Sequence, residues 1–114
     1  MPLTSDVAAV ARHLRRAATL HAYELGDLDP IEAPHASWLA DAGTTAVALI
    51  YRGLATPTVI ALADDDRPAL ARLLAADLDA LPARAYAHLS PGLADALGAR
   101  FAAAPLGRHY KLAL

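Results

Sequence analysis

Hydrophobic positions along the chain change period several times, and each change marks an element. Over residues 6–18, Val7, Val10, Ala11, Leu14 and Ala18 recur at helical spacing, with Arg12, Arg15 and Arg16 on other faces. Thr4, Ser5 and Asp6 supply caps ahead of that run, so the pattern predicts a helix over 6–18. Residues 20–28 (LHAYELGDL) suit a short helix or a strand, and Leu20, Tyr23 and Glu24 tilt the balance towards a helical turn. Residues 27–35 (DLDPIEAPH) hold two prolines and read as loop. Residues 37–40 and 45–51 then form a hairpin around a glycine-containing turn. The second of these strands, TAVALIY, is almost continuously apolar and is expected to be buried on both faces.

Residues 52–57 lead into a third strand over 58–63. A helix over 67–79 follows, with Leu70, Leu73, Leu74 and Leu78 along one stripe and Pro82 as its stop. Residues 85–89 alternate as a short strand. Ser90-Pro91 opens a helix, the serine as cap and the proline in the first turn. Leu93 and Leu97 face inward there and Gly98 ends it, before a last pair of strands over 101–104 and 109–113. Strand 58–63, helix 67–79 and strand 85–89 make one βαβ step, which sets its two strands parallel if they are neighbours. The fold class is therefore α/β (α+β): a mixed, mostly antiparallel sheet with one parallel step and helices on both faces.

Composition narrows the functional classes. A length of 114 residues suits one domain, and 56% apolar residues can form a true core. Alanine supplies much of that fraction and buries little area. The core must rest on the leucines and valines, Ile31, Ile50, Ile60, Trp38, Phe101 and the tyrosines. A net charge of -2 with no basic block leaves no electrostatic footprint for nucleic acid. The absence of cysteine excludes disulfides and thiolate chemistry. No apolar run approaches the roughly 20 residues of a membrane span. The first residues place their charges after the apolar positions, the reverse of a signal peptide. The expectation is a soluble, cytoplasmic domain of bacterial character, with neither nucleic acid nor membrane as partner.

Candidate chemistry centres on the turn between strand 58–63 and helix 67–79. A strand-to-helix turn favours phosphate, because helix N-terminal amides point outward there. This one holds Asp64, Asp65 and Asp66. Capping and interaction with the helix dipole account for the three carboxylates. No metal is expected, since consecutive carboxylates on a turn seldom converge without further ligands. None of the five histidines falls in a metal signature. Tyr86 and His88 alternate to one face of their strand and are the best pocket candidates, with His88 able to act as a general base. Glu24, Asp27, Asp29 and Glu32 gather around the proline loop, either solvated or as acceptors of an amine proton. Trp38 belongs to the core, an interface or the pocket wall. Ser90 lacks a nucleophile motif and reads as a cap. Arg12, Arg15 and Arg16 read as a solvated helix face, at most a modest anion patch.

The order of elements resembles the GNAT-type N-acetyltransferase fold, abbreviated at its N-terminus. The wording of residues 20–30 (LHAYELGDLDP), 86–93 (YAHLSPGL) and 107–114 (GRHYKLAL) resembles the N-terminal GNAT-like domain of some bacterial acetyltransferases. That resemblance covers nearly the whole chain, and its phrases are not catalytic motifs. It implies an N-terminal domain of a larger enzyme or a stand-alone relative, with a domain boundary at the strand-like end. Partners would be a catalytic acetyltransferase domain or a second copy of the chain. In active members the strand-to-helix turn carries R/Q-x-x-G-x-G/A, whose amides grip the pyrophosphate of acetyl-CoA. Here the same place reads Ala63-Asp64-Asp65-Asp66-Arg67-Pro68. No glycine lets the backbone approach, Pro68 removes an amide donor, and three carboxylates face a polyanion. Members often use a tyrosine in the helix after the 85–89 strand as a general acid, and residues 91–98 contain none. The resemblance thus implies a degenerate, non-catalytic domain with no cofactor. The first alternative is an active acetyl-CoA-dependent N-acetyltransferase acting on a small-molecule or protein amine, using Tyr86, His88 and Glu24 or Glu32. The second is a small-molecule module using a vestigial cleft between splayed strands 58–63 and 85–89.

Overall fold

The computed structural model describes residues 3–4, 6–26, 28, 33–106 and 109–113. In chain order the main elements are β1 (Leu3–Thr4), α1 (Val7–Arg15), α2 (Ala22–Gly26), β2 (Ala36–Ala40), β3 (Val47–Tyr51) and β4 (Thr58–Ala61). Then come α3 (Arg67–Ala76), β5 (Arg84–Leu89), β6 (Ala102–Leu106) and β7 (His109–Ala113). Short 3₁₀ turns at Ala33–His35, Leu78–Ala80 and Leu93–Leu97 join them. The strands form one seven-stranded sheet in the order β1-β2-β3-β4-β5-β7-β6. Only β4 and β5 run parallel among the described pairings, with Thr58 opposite Tyr86 and Ala61 opposite Leu89. The predicted mixed α+β sheet and its single parallel step are present.

Period-2 alternation divides the core in two. Trp38, Ala40, Val47, Leu49 and Ile60 face one side, where Val10 and Leu14 of α1 cover them and Leu25 and Leu28 pack alongside. Leu39, Ala46, Ala48, Ile50, Val59 and Ala61 face the other, under Leu70, Leu73 and Leu74 of α3 and Leu93 and Leu97 of the last 3₁₀ turn. Helical elements therefore lie on both faces, and β3 is buried on both sides along Val47–Ile50.

Several local boundaries differ from the sequence pattern, each with a cause. The first described element is a two-residue strand, Leu3–Thr4, paired antiparallel to Leu39 and Trp38, where no strand was expected and Thr4 was read as a cap. Asp6 does cap α1, its carboxylate accepting from the Ala9 amide at 3.1 Å. α1 stops at Arg15 rather than residue 18, since the 16–21 stretch turns into α2. α3 ends at Ala76, not 79. Asp77 leaves helical geometry at φ −137°, and a 3₁₀ turn rather than Pro82 completes the exit. Ser90 is not a helix cap. Gly92, at φ +88°, starts the 3₁₀ turn, a left-handed conformation that costs glycine little.

Candidate functional site at the aspartate turn

Three local features place the side chains of this site. α1 turns Val10 and Leu14 into the core, and His13, three residues after Val10, falls on the flank facing the β4–α3 turn. The 16–21 turn is held by the His21 amide on the Ala17 carbonyl at 3.1 Å, and α2 starts with the Leu25 amide on the His21 carbonyl at 2.9 Å. His21 and Glu24 are thereby set one helical turn apart. At the β4–α3 turn the Leu70 amide bonds the Asp66 carbonyl at 2.9 Å, which fixes Asp66 as the residue before α3.

The result is two carboxylate–imidazole pairs side by side. His13 Nε2 donates to Asp66 Oδ2 at 3.0 Å, and His21 Nδ1 donates to Glu24 Oε2 at 2.8 Å. His13, His21 and Glu24 are buried, Glu24 completely. The two imidazole rings lie 6.2 Å apart. A carboxylate can only accept, so in the neutral rings it fixes the tautomer: the facing nitrogen carries the proton and the other keeps a lone pair. His13 Nδ1 and Glu24 Oε1 are buried without a hydrogen-bond partner. Between the pairs lies a cavity of about 90 Å³ bounded by His13, Arg16, Ala17, His21 and Asp64, Asp65 and Asp66. Arg16 and Asp65 are 3.9 Å apart and largely exposed, a pair that adds little to stability.

The three aspartates divide their roles. Asp64 and Asp65 are exposed. Asp66 stands at the position before α3, yet its side chain makes no capping bond to the helix, contrary to the capping expected for it. Its Oδ1 instead accepts from the Asp64 amide at 2.9 Å, while Oδ2 takes His13. The carboxylate thus sits on a turn amide of the kind a phosphate would use. Pro68 in the first turn of α3 removes one amide donor, and the turn holds no glycine. Any further anion brought within about 4 Å of one of these carboxylates would cost about 1 kcal/mol even in bulk water.

The other anticipated site residues are not gathered here. Trp38, Leu49, Ile60 and His88 occupy one row across the sheet. Three strand steps of about 4.8 Å place Trp38 and His88 roughly 14 Å apart. Trp38 is core, and it also forms part of an apolar groove of about 520 Å³ with Leu3, Val7 and Leu28. His88 is exposed and Tyr86 is 38% exposed, on the face that carries α1 over neighbouring strands. Tyr86 borders a cavity of about 350 Å³ with Pro57, Arg84 and Leu112, at the end of β4 and β5 away from the aspartates. Glu24 is internal and bound to His21 rather than set on a solvated loop. Asp27, Asp29 and Glu32 lie outside the described residues.

The expected splay between β4 and β5 does not occur along their paired length. Their ladder is extended by the Tyr86 amide on the Pro57 carbonyl and by the Ser90 amide on the Ala61 carbonyl, both at 3.0 Å. Ser90 Oγ then accepts from the Ala63 amide at 2.8 Å and donates to the Ala63 carbonyl at 3.3 Å. This is the role Ser90 has in place of capping.

Sequence reasoning passed over His13 and His21 because it sought histidine pairs in metal spacing. The available signal was His21-x-x-Glu24, an acid–imidazole pair one turn apart in a segment read as helical. Among the described residues no three His, Cys, Asp or Glu side chains are placed to share a metal ion, and no helix is long and apolar enough to cross a membrane. Compared with models of protein families, with curated proteins and with solved structures, the chain matches none.

Proposed function

We propose that the chain is a degenerate acetyltransferase-like domain with a structural role. It would pack on a catalytic acetyltransferase domain, shape that domain's substrate cleft, or pair with a second copy of itself. After the short β1, the succession of helices, three strands, helix, strand, helical turn and two strands supports the reading, because it is the order that carries the GNAT resemblance. One observation carries the loss of cofactor binding: the Asp66 carboxylate holds the Asp64 amide and His13 together at the turn where such a domain would seat a pyrophosphate. The zipped ends of β4 and β5 support it further, since they leave no gap between those strands for an extended cofactor.

Calorimetric titration with acetyl-CoA, and with CoA alongside, tests this. No saturable heat at millimolar ligand is the expected result. Micromolar binding would overturn the reading and favour an active N-acetyltransferase. In that case His88→Ala and Tyr86→Phe would be assayed for loss of transfer to amine acceptors.

A further inference from the structure

We infer that the cavity beside the aspartate turn is a binding site for an ammonium group, –NH₃⁺, carried by a free ion, a small amine or a lysine of another chain. The inference does not rest on the acetyltransferase reading, and no bond is made or broken in it. It starts from which buried groups lack partners. In this region they are His13 Nδ1 and Glu24 Oε1. Asp66 takes His13 Nε2, so in the neutral ring the proton stands on Nε2 and the unmet Nδ1 is an acceptor. Glu24 Oε1, a second acceptor when the carboxyl is ionised, lies behind His21 and does not line the cavity. His13 is only 6% exposed and lines the cavity, so its lone pair is hidden from bulk water. An unmet acceptor in such a place calls for a donor.

Charge selects the donor. Asp64, Asp65 and Asp66 border the cavity against the single guanidinium of Arg16, so an anion is repelled. Arg16 itself stands 3.9 Å from Asp65 with its side chain 58% exposed, which makes it a loose rim cation rather than an occupant. A metal ion would need three converging donors, and these side chains do not provide them. A cation that brings its own directed N–H bonds needs no such shell. Size agrees: a water occupies about 30 Å³ in the liquid, so a cavity of about 90 Å³ takes an ammonium and one or two carbons.

The test uses the full chain at fixed pH and ionic strength. Methylammonium chloride and tetramethylammonium chloride are titrated in turn while the imidazole signals of His13 and His21 are followed by NMR. Methylammonium should move both rings saturably. Tetramethylammonium has the same charge but no N–H and should not. Asp64→Asn with Asp65→Asn, both at exposed positions, should weaken binding about tenfold, the size of one lost charge-assisted hydrogen bond. Arg16→Ala should tighten it by removing the rim competitor. Ammonium chloride and a lysine-containing peptide then show whether the free ion or a tethered lysine binds more tightly. Equal shifts with tetramethylammonium would reduce the effect to screening and overturn the site. So would the absence of a saturable shift in both the natural chain and Arg16→Ala. Saturation of the same rings by zinc chloride in place of methylammonium would make it a metal centre and overturn the ammonium assignment.

Discussion

At the scale of single residues, the strongest local organiser is a carboxylate bonded to backbone. In the β2–β3 turn, Asp41 accepts from the Thr45 hydroxyl, from the Thr45 amide at 2.6 Å and from the Ala46 amide at 3.1 Å. These bonds close a turn in which Thr44 adopts a left-handed φ of +51°, costly for a β-branched residue. Partial burial alone would raise the Asp41 carboxyl, but the bonds from Thr45 and Ala46 outweigh it and hold it below its ordinary 3.8. The sign of the pH effect follows. A lowered carboxyl contributes stability that is present above 3.8 and is lost as pH falls through the lower, folded value. Asp41→Asn should therefore unfold more easily at neutral pH, and its deficit against the natural chain should shrink as pH falls below 3.8. Denaturant midpoints of both proteins across that range check this, and a deficit independent of pH would refute it. The buried Glu24 makes the opposite case, a carboxylate dependent on one side chain. His21→Ala strands it and should cost about 3–5 kcal/mol, whereas His21→Leu with Glu24→Leu should recover much of that loss. Comparable destabilisation in the double variant would show that the pair stabilises the fold directly.

At the scale of elements, the strands were the more legible part. Alternation in RAYAHL was enough to place β5, and the short apolar run VALIY, too short for a helix and preceded by a glycine-containing turn, was enough to place β3. Helix ends were less legible. α1 and α3 stop early because the chain turns back to meet the sheet, a tertiary demand with no mark in helix propensity. Leu3–Thr4 is too short to show any period, and only its pairing with β2 makes it a strand. Ser90-Pro91 matched a helix start by local rules, yet the buried hydroxyl is used across the sheet, on a residue 27 positions away. The site was legible only in part for the same reason. The aspartates and Glu24 could be singled out by position, but the partners that define their roles come from other segments. The Ser90 stitch has a measurable consequence. Ser90→Ala leaves the buried Ala63 amide unpaired and should destabilise by about 1–3 kcal/mol. Amide hydrogen exchange should speed up first at Ala63, ahead of the middle of β4. Unchanged exchange at Ala63 would show that the hydroxyl is dispensable there.

For the molecule as a whole, one sheet shared by two cores decides how it unfolds. Val47, Leu49 and Ile60 point into the core under α1, while Ala46, Ala48, Ile50 and Val59 point into the core under α3. The same backbone carries both sets, so neither core can be lost while the central strands keep their pairing and the other core stays whole. A cavity on either side must therefore weaken a single transition. Leu14 and Leu74 are both fully buried, on opposite faces. Truncating either to alanine should cost about 2–5 kcal/mol. Trp38 is the lone tryptophan and lies in the α1-side core, so its fluorescence reports that side directly. Far-ultraviolet circular dichroism reports the whole chain. In Leu74→Ala, with the lesion on the face away from the tryptophan, the two signals should still fall at the same denaturant concentration. If Trp38 held its native signal after the dichroism had begun to decay, the two faces would be separate cooperative units, and coupling through the shared strands would be refuted.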